Sequence, residues 1–288
     1  MTALKFIKSS FILASLLVIL QVFFLNESYA EKINVFRVSD RKAVTFEKMV
    51  DEIKKSNLLF VGESHNIAAH HKLQLDVIKR LNELKVPLAV GFEMFTAESQ
   101  ATLNRWTSGT ISTDDFIKIY YKNWNFPWPL YKDILLYVRD NKIPSIGLNL
   151  LPEITRKVAR GGFSSLTKEE LKKLPPETGC VVSERYIYFI RRAYSMHGHE
   201  GTQFIYFCEA QLLWDQVMAR NLLEFHKNNP EKVIVVLTGN GHAWKGGIPE
   251  QVRKLSEKTS LIVLLPEVIG NIDADTVTIE DADYILLQ

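Results

Sequence analysis

Two segments from opposite ends of this chain follow one plan. Leu58-Leu59-Phe60-Val61 runs into Gly62-Glu63-Ser64-His65, and Val233-Ile234-Val235-Val236-Leu237 runs through Thr238 into Gly239-Asn240-Gly241-His242. Unbroken Val/Ile/Leu runs stopped by glycine are the pattern of strands buried on both faces of a parallel sheet. Each histidine then falls just past the carboxyl end of a strand, the edge where loops of an open α/β sheet converge and ligands bind. A lone Gly-x-x-His says almost nothing. Two of them delivered to one edge define a candidate site.

Further runs extend the pattern. A second strand over 87–92 ends at Glu93, a third over 144–148 ends at Asn149, and a fifth over 261–265 closes the series. Helical spacing falls at 45–55, 67–84, 97–106, 114–121, 130–140 and 249–256. This β-α-β-α order predicts an α/β fold, a mostly parallel sheet flanked by helices with right-handed crossovers. Between the third and fourth strands, residues 150–231 are too many for one crossover helix. Helical patches there, including 181–196, are broken by Gly161-Gly162, Pro175-Pro176 and Gly198. They read as a helical lid over the carboxyl edge, or as an elaborate crossover without a role of its own.

The strand ends collect Glu63, His65, Glu93, Asn149 and His242. Two imidazoles with one or two carboxylates can hold a divalent transition metal, here through His65, Glu93 and His242. Without metal, Glu63, His65, Glu93 and His242 form a candidate catalytic set in which histidine activates water and glutamate orients it. Glu63 also reads as a partner for a helix dipole. In the helix after the first motif, His71 projects with Gln74, Leu75 and Ile78, and His70 falls off that face. In the helix over 202–228, one face carries Phe204, Phe207, Cys208, Trp214, Met218, Leu222 and Phe225, with Gln211 and Asp215 at its centre. A carboxylate in such a stripe must find a partner, either a loop or a site histidine that it orients.

The N-terminus sets the compartment. Lys5 and Lys8 precede a nearly apolar run over 11–25, and Ser28-Tyr29-Ala30 supplies a small-x-small site before Glu31. Residues 1–30 therefore read as a cleaved secretory signal peptide, with an uncleaved anchor as the alternative, and 31–288 as a single exported α/β domain. No cysteine lies at the cleavage site. With 35 Lys and Arg against 33 Asp and Glu, the chain lacks the basic footprint of a nucleic-acid binder. Cys180 and Cys208 are the only cysteines, and either a bridge between them or a buried free Cys208 is compatible with export.

The motifs also carry a resemblance. Gly62-Glu63-Ser64-His65 with His71 and Gln74, Gly91-Phe92-Glu93-Met94-Phe95 with Gln100, and Leu148-Asn149 with Pro152 resemble the ChaN-like family, as do Trp214-Asp215-Gln216-Val217-Met218-Ala219 and Gly239-Asn240-Gly241-His242 with Gly247-Ile248-Pro249. Five ordered motifs span about 57–266, and only 161–200 has no clear counterpart. The resemblance implies a domain related to the Tiki, TraB and erythromycin-esterase group. It further implies haem binding, iron uptake through envelope machinery and a homodimer enclosing the cofactor, in a secreted or periplasmic protein. Haem needs an apolar slot and an axial donor. For the donor, residues 150–231 offer Tyr186, Tyr188, Tyr194, His197 and His199; for the slot, Trp124, Phe126, Trp128 and Tyr131 form an aromatic cluster that reads first as core packing around a turn and otherwise as a haem wall. The cofactor-binding set is then His65, His71, Asn149, Asp215, His242, Tyr194, His197 and His199.

Overall fold

The computed structural model describes residues 34–176, 178–179, 181–193 and 201–287. The signal segment, Cys180, Tyr194, His197 and His199 lie outside them. Eight strands form one sheet in the order β2-β1-β8-β7-β3-β6-β4-β5. They are β1 (Asn34–Arg37), β2 (Lys42–Thr45), β3 (Leu58–Glu63), β4 (Leu88–Thr96), β5 (Ser145–Asn149), β6 (Val233–Gly239), β7 (Leu261–Pro266) and β8 (Tyr284–Leu287). From β8 to β5 every pairing is parallel, and β1 joins the edge antiparallel to both β2 and β8.

The helices are α1 (Phe46–Ile53), α2 (Ala68–Glu83), α3 (Gln100–Thr107), α4 (Thr113–Asn123), α5 (Trp128–Asp140), α6 (Pro152–Gly161), α7 (Lys168–Leu171), α8 (Glu184–Ala193), α9 (Gly201–Asn228), α10 (Asn240–Ala243) and α11 (Ile248–Leu255). Leu58, Phe60, Ile234, Val236, Val263 and Leu265 meet Met218, Leu222, Ile248 and Val252 of α9 and α11 on one sheet face. Residues of opposite pleat, Leu59, Val61, Val235 and Leu237, are fully buried as well. Covered faces explain the continuous apolar runs, because no position alternates into water.

The order of strands makes the site. β3 and β6 are neighbours with Glu63 opposite Gly239. After β3 the chain crosses toward β4, and after β6 it crosses toward β7, so the two Gly-x-x-His turns leave adjacent strands in opposite directions. Such a reversal opens a crevice at the carboxyl ends.

Three features differ from the sequence reading. The strands β1, β2 and β8 were not expected; β1 and β2 are four residues each and carry Asn34, Arg37, Lys42 and Thr45, and β8 is a four-residue apolar run with no helix or glycine stop beside it to mark it as a strand. Glu93 does not end its strand, since β4 continues to Thr96 through a register shift against β5. Helix α9 is not amphipathic with one stripe. Met218 and Leu222 face the sheet, Ala210, Leu213 and Val217 face α6, and Phe204, Cys208 and Leu212 face Tyr186 and Ile190 of α8. A helix covered by a sheet and two other helices is apolar on several sides. Cys208 is a free, buried thiol, its pKa pushed up to about 11 by that burial.

Candidate functional site

The carboxyl ends of β3, β4 and β6 enclose a cavity of about 400 Å³. Glu63, His65, Glu93, Asn149, Gln211 and His242 supply its polar lining, and Trp124, Phe126, Trp214 and Val268 its apolar lining. The structure thus gathers His65, Glu93, Asn149 and His242 around one space.

Glu63, at the last position of β3, is 2% exposed and bound by three side chains. Tyr131 donates its hydroxyl to Oε1 at 2.9 Å, His65 Nδ1 lies 2.5 Å from the same oxygen, and His71 Nε2 lies 3.1 Å from Oε2. Burial pushes the carboxyl upward, but the hydrogen bonds from His65 and His71 outweigh it and hold the group at about 2. Burial likewise lowers the His65 imidazole, and Glu63 and Glu93 together raise it to about 9. The His65 ring is edge-on to Trp124 at 5.0 Å and tilted against Phe126 at 4.9 Å. His71 stands behind Glu63, against the Tyr131 ring at 4.2 Å, and does not reach the cavity.

His70, off the face that His71 shares with Gln74, Leu75 and Ile78, is buried all the same. It is 1% exposed, and its Nδ1 accepts the Ser64 backbone N–H at 2.9 Å. Burial lowers its pKa, in keeping with a neutral ring that accepts at Nδ1. Its neighbour Gln74 donates to the Val61 carbonyl at 2.9 Å. Together His70 and Gln74 pin the turn that carries His65.

A second arrangement of the same kind backs the other motif. Tyr186 of α8 donates to Asp215 Oδ2 at 2.6 Å, and Asp215 Oδ1 lies 2.7 Å from His242 Nδ1. Asp215 is 1% exposed, and burial raises its pKa. Burial works against the His242 charge too, but Asp215 and Glu93 outweigh it, so the imidazole pKa is raised. Each motif histidine therefore spends Nδ1 on a buried carboxylate that a buried tyrosine also holds, which fixes the ring and leaves Nε2 uncommitted to that carboxylate.

Glu93 lies between the two. Its Oε2 accepts the Gly239 backbone N–H at 2.7 Å, and its Oε1 is 3.9 Å from His242 Nε2. A Cβ at residue 239 would stand 2.8 Å from His65 Cε1, so glycine is what lets the ring reach this strand end. Asn149 donates to the Glu93 carbonyl at 2.8 Å. Among the described residues, no group of three or more His, Cys, Asp and Glu is arranged to hold a metal ion. Of the donors first read as metal ligands, His65 and His242 meet Glu63 and Asp215 through Nδ1, and Glu93 accepts the Gly239 N–H through Oε2.

The aromatic cluster divides. Trp124 and Phe126 line the cavity, Tyr131 holds Glu63, and Trp128 packs against Trp106, Phe116 and Tyr120. Trp214 was part of the apolar stripe and stands edge-on to His242 at 5.7 Å. Tyr186, read as an axial donor, has its hydroxyl committed to Asp215. Asn240 of the second motif, which donates to Ser64 Oγ at 3.3 Å, also lines the cavity, as do Val268 and Asn271 after β7, which carry no sequence signal beyond their loop.

Fold and site define a class: a covered α/β sheet with paired Gly-x-x-His turns on adjacent strands, each histidine backed by a buried carboxylate. A family model described as haem-binding uptake, Tiki superfamily, ChaN matches residues 49–252, and the chain belongs to this family. Among solved structures it is similar to ChaN of Campylobacter jejuni, a structure of cofacial haem binding, with a TM-score of 0.70 and 20% identity over 89% of this chain and 97% of that one. It is also similar to the erythromycin esterase EreC in an H289N mutant, with a TM-score of 0.50 and 11% identity over 81% of this chain and 76% of that one. At these identities the structural likenesses speak for the fold. The curated protein RETICULATA-RELATED 5, chloroplastic, of Arabidopsis thaliana is 24% identical over 246 residues, covering 78% of this chain. The chain spans about a third of that plant protein, 32% of its length.

Proposed function

We propose that this protein is exported, binds haem and serves haem or iron uptake at the cell envelope. The observation that carries the reading is the family match, whose span, residues 49–252, holds both Gly-x-x-His turns, Glu93 and Asp215. The donor chemistry fits. Trp124, Phe126, Trp214 and Val268 give the apolar wall a porphyrin needs, over a floor too polar to bury the macrocycle. Tyr188, 70% exposed on α8, is one candidate donor, and Tyr194, His197 and His199 are the others that the sequence offers. Bound haem supplies an iron centre for transport; the protein's part is to wall off one face and to offer a ligand. The segment over 1–30 directs export and is removed. A second copy closes the mouth, in line with the cofacial haem binding of the Campylobacter jejuni protein and with Ile269, 93% exposed beside the lining residue Val268.

One observation favours a second reading. Two carboxylate-backed imidazoles and Glu93 around one cavity are a water-activating set, so a hydrolase using His65, His242 and Glu93 is the alternative. Haem titration of the mature protein, followed by its visible spectrum beside elemental analysis of the isolated protein, separates them. A saturable Soret shift supports haem binding. No shift, with a retained divalent metal or ester hydrolysis lost in His242→Ala, moves the assignment to the hydrolase.

A further inference from the structure

A second concavity, of about 410 Å³, shares no residue with the strand-end cavity. Glu153, Arg156, Lys157, Arg160, Gly161 and Ser165 line it. Helix α6 buries Ile154 and Val158, which leaves Glu153, Arg156, Lys157 and Arg160 on its outward side at helical spacing. Of the three cations only Lys157 is engaged. Its Nζ holds Glu170 Oε2 at 2.7 Å, and the same oxygen accepts the Thr167 backbone N–H at 2.7 Å, tying α6 to the start of α7. Arg156 and Arg160, one turn apart, have no hydrogen-bond or ion-pair partner among the described residues.

The charge continues beyond the concavity. Residues 152–176 hold six Lys and Arg against three Glu, in a chain otherwise close to balance. Leu171, 40% exposed, stands between Lys168 and the Lys172-Lys173 pair. Guanidinium forks match phosphate oxygens two at a time, and an exposed apolar side chain amid cations suits the boundary between headgroups and acyl chains.

We propose that this α6–α7 face docks on the phosphate headgroups of an anionic phospholipid surface, with Arg156 and Arg160 as the headgroup ligands. A bilayer is favoured over a free phosphate ion because further cations lie beyond the concavity, at Lys168 and at the Lys172-Lys173 pair after α7, whereas a single small anion would be served by the concavity alone. The proposal does not depend on what the strand-end cavity binds.

The test is co-sedimentation of the full mature chain with phosphatidylcholine vesicles, with and without phosphatidylglycerol. Binding is expected only with phosphatidylglycerol and is expected to weaken as salt rises. Arg156→Gln with Arg160→Gln should lower the partition coefficient about thirtyfold, from the usual contribution of a basic side chain at an anionic surface. The double variant should melt as the wild type does, since both side chains are exposed and unpartnered. A charge-matched control on α11, Arg253→Gln with Lys254→Gln, should stay within about threefold of wild type on the same scale. Absence of wild-type binding, or an equal loss in both double variants, overturns the proposal. Displacement by inorganic phosphate at matched ionic strength also overturns it and assigns the concavity to a soluble phosphate.

Discussion

Glu63 is the residue on which the first motif turns, because Tyr131, His65 and His71 all meet its carboxylate. Glu63→Gln leaves those partners around an amide that cannot accept at both ends, and is expected to cost about 3–5 kcal/mol, as for one partner removed from a buried ion pair. The pH dependence has a sign on each side. The carboxyl, held at about 2 from an ordinary 4.5, adds stability that is present above pH 4.5 and is lost as pH falls through 2. The imidazole, raised from 6.5 to about 9, adds stability that is full below pH 6.5 and is lost as pH rises through 9. These are two ends of one interaction and are not summed. Melting temperature should therefore plateau between pH 4.5 and 6.5 and decline toward pH 9, and the alkaline decline should shrink in Glu63→Gln. A gap between variant and wild type that does not change with pH contradicts this reading. At the second motif, Tyr186→Phe strips Asp215 of a donor and should cost about 1.5–3 kcal/mol, the range for a hydrogen bond to a buried charge. Its specific mark is a shift in the His242 imidazole titration by NMR; a stability loss with that titration unmoved would mean that Tyr186 only packs.

At the level of elements, the site exists because β3, β6 and β4 are neighbours, with Glu63 and Gly239 at the ends of the first two and Glu93 near the end of β4, toward the same edge. The sequence already showed that these ends share an edge, since apolar runs stopped by glycine reveal buried parallel strands. It did not show that β6 inserts between β3 and β4, because strand order is settled by contacts far apart in the chain. Nor did it show the register shift in β4, after which Thr96 pairs with Asn149. There Gly147 is essential, as a Cβ would stand 2.3 Å from the Thr96 carbonyl oxygen. Backbone cannot yield as a side chain can, so Gly147→Ala should cost about 3 kcal/mol or more, at or beyond the top of the usual overpacking range. Thermal unfolding checks it, and a loss below about 1 kcal/mol, the bottom of that range, would show that the two strands separate easily. The burial of His70 was not legible for a related reason. A helical projection locates the face toward the sheet, whereas His70 is buried against the Ser64 turn, a neighbour that no projection of α2 contains.

For the whole molecule, the family match and the two carboxylate-backed histidines meet at one cavity with aromatic walls. Trp124 and Phe126 belonged to a cluster that sequence alone could not divide between core and cavity, because half-buried aromatics serve both. Trp124→Ala removes a wall of the cavity and the edge-on partner of His65. In the haem reading it should weaken haem affinity about tenfold or more, the equivalent of one partly buried aromatic contact, while the fold is kept. Isothermal or spectral titration of the variant checks it, and unchanged affinity would place haem away from this cavity. The most direct measurement is titration of haem into the purified mature protein, read at the Soret band. The account predicts a saturable shift at a fixed stoichiometry, weakened by Trp124→Ala and altered in position by loss of one donor among Tyr188, Tyr194, His197 and His199. A spectrum that remains that of free haem throughout the titration would contradict it.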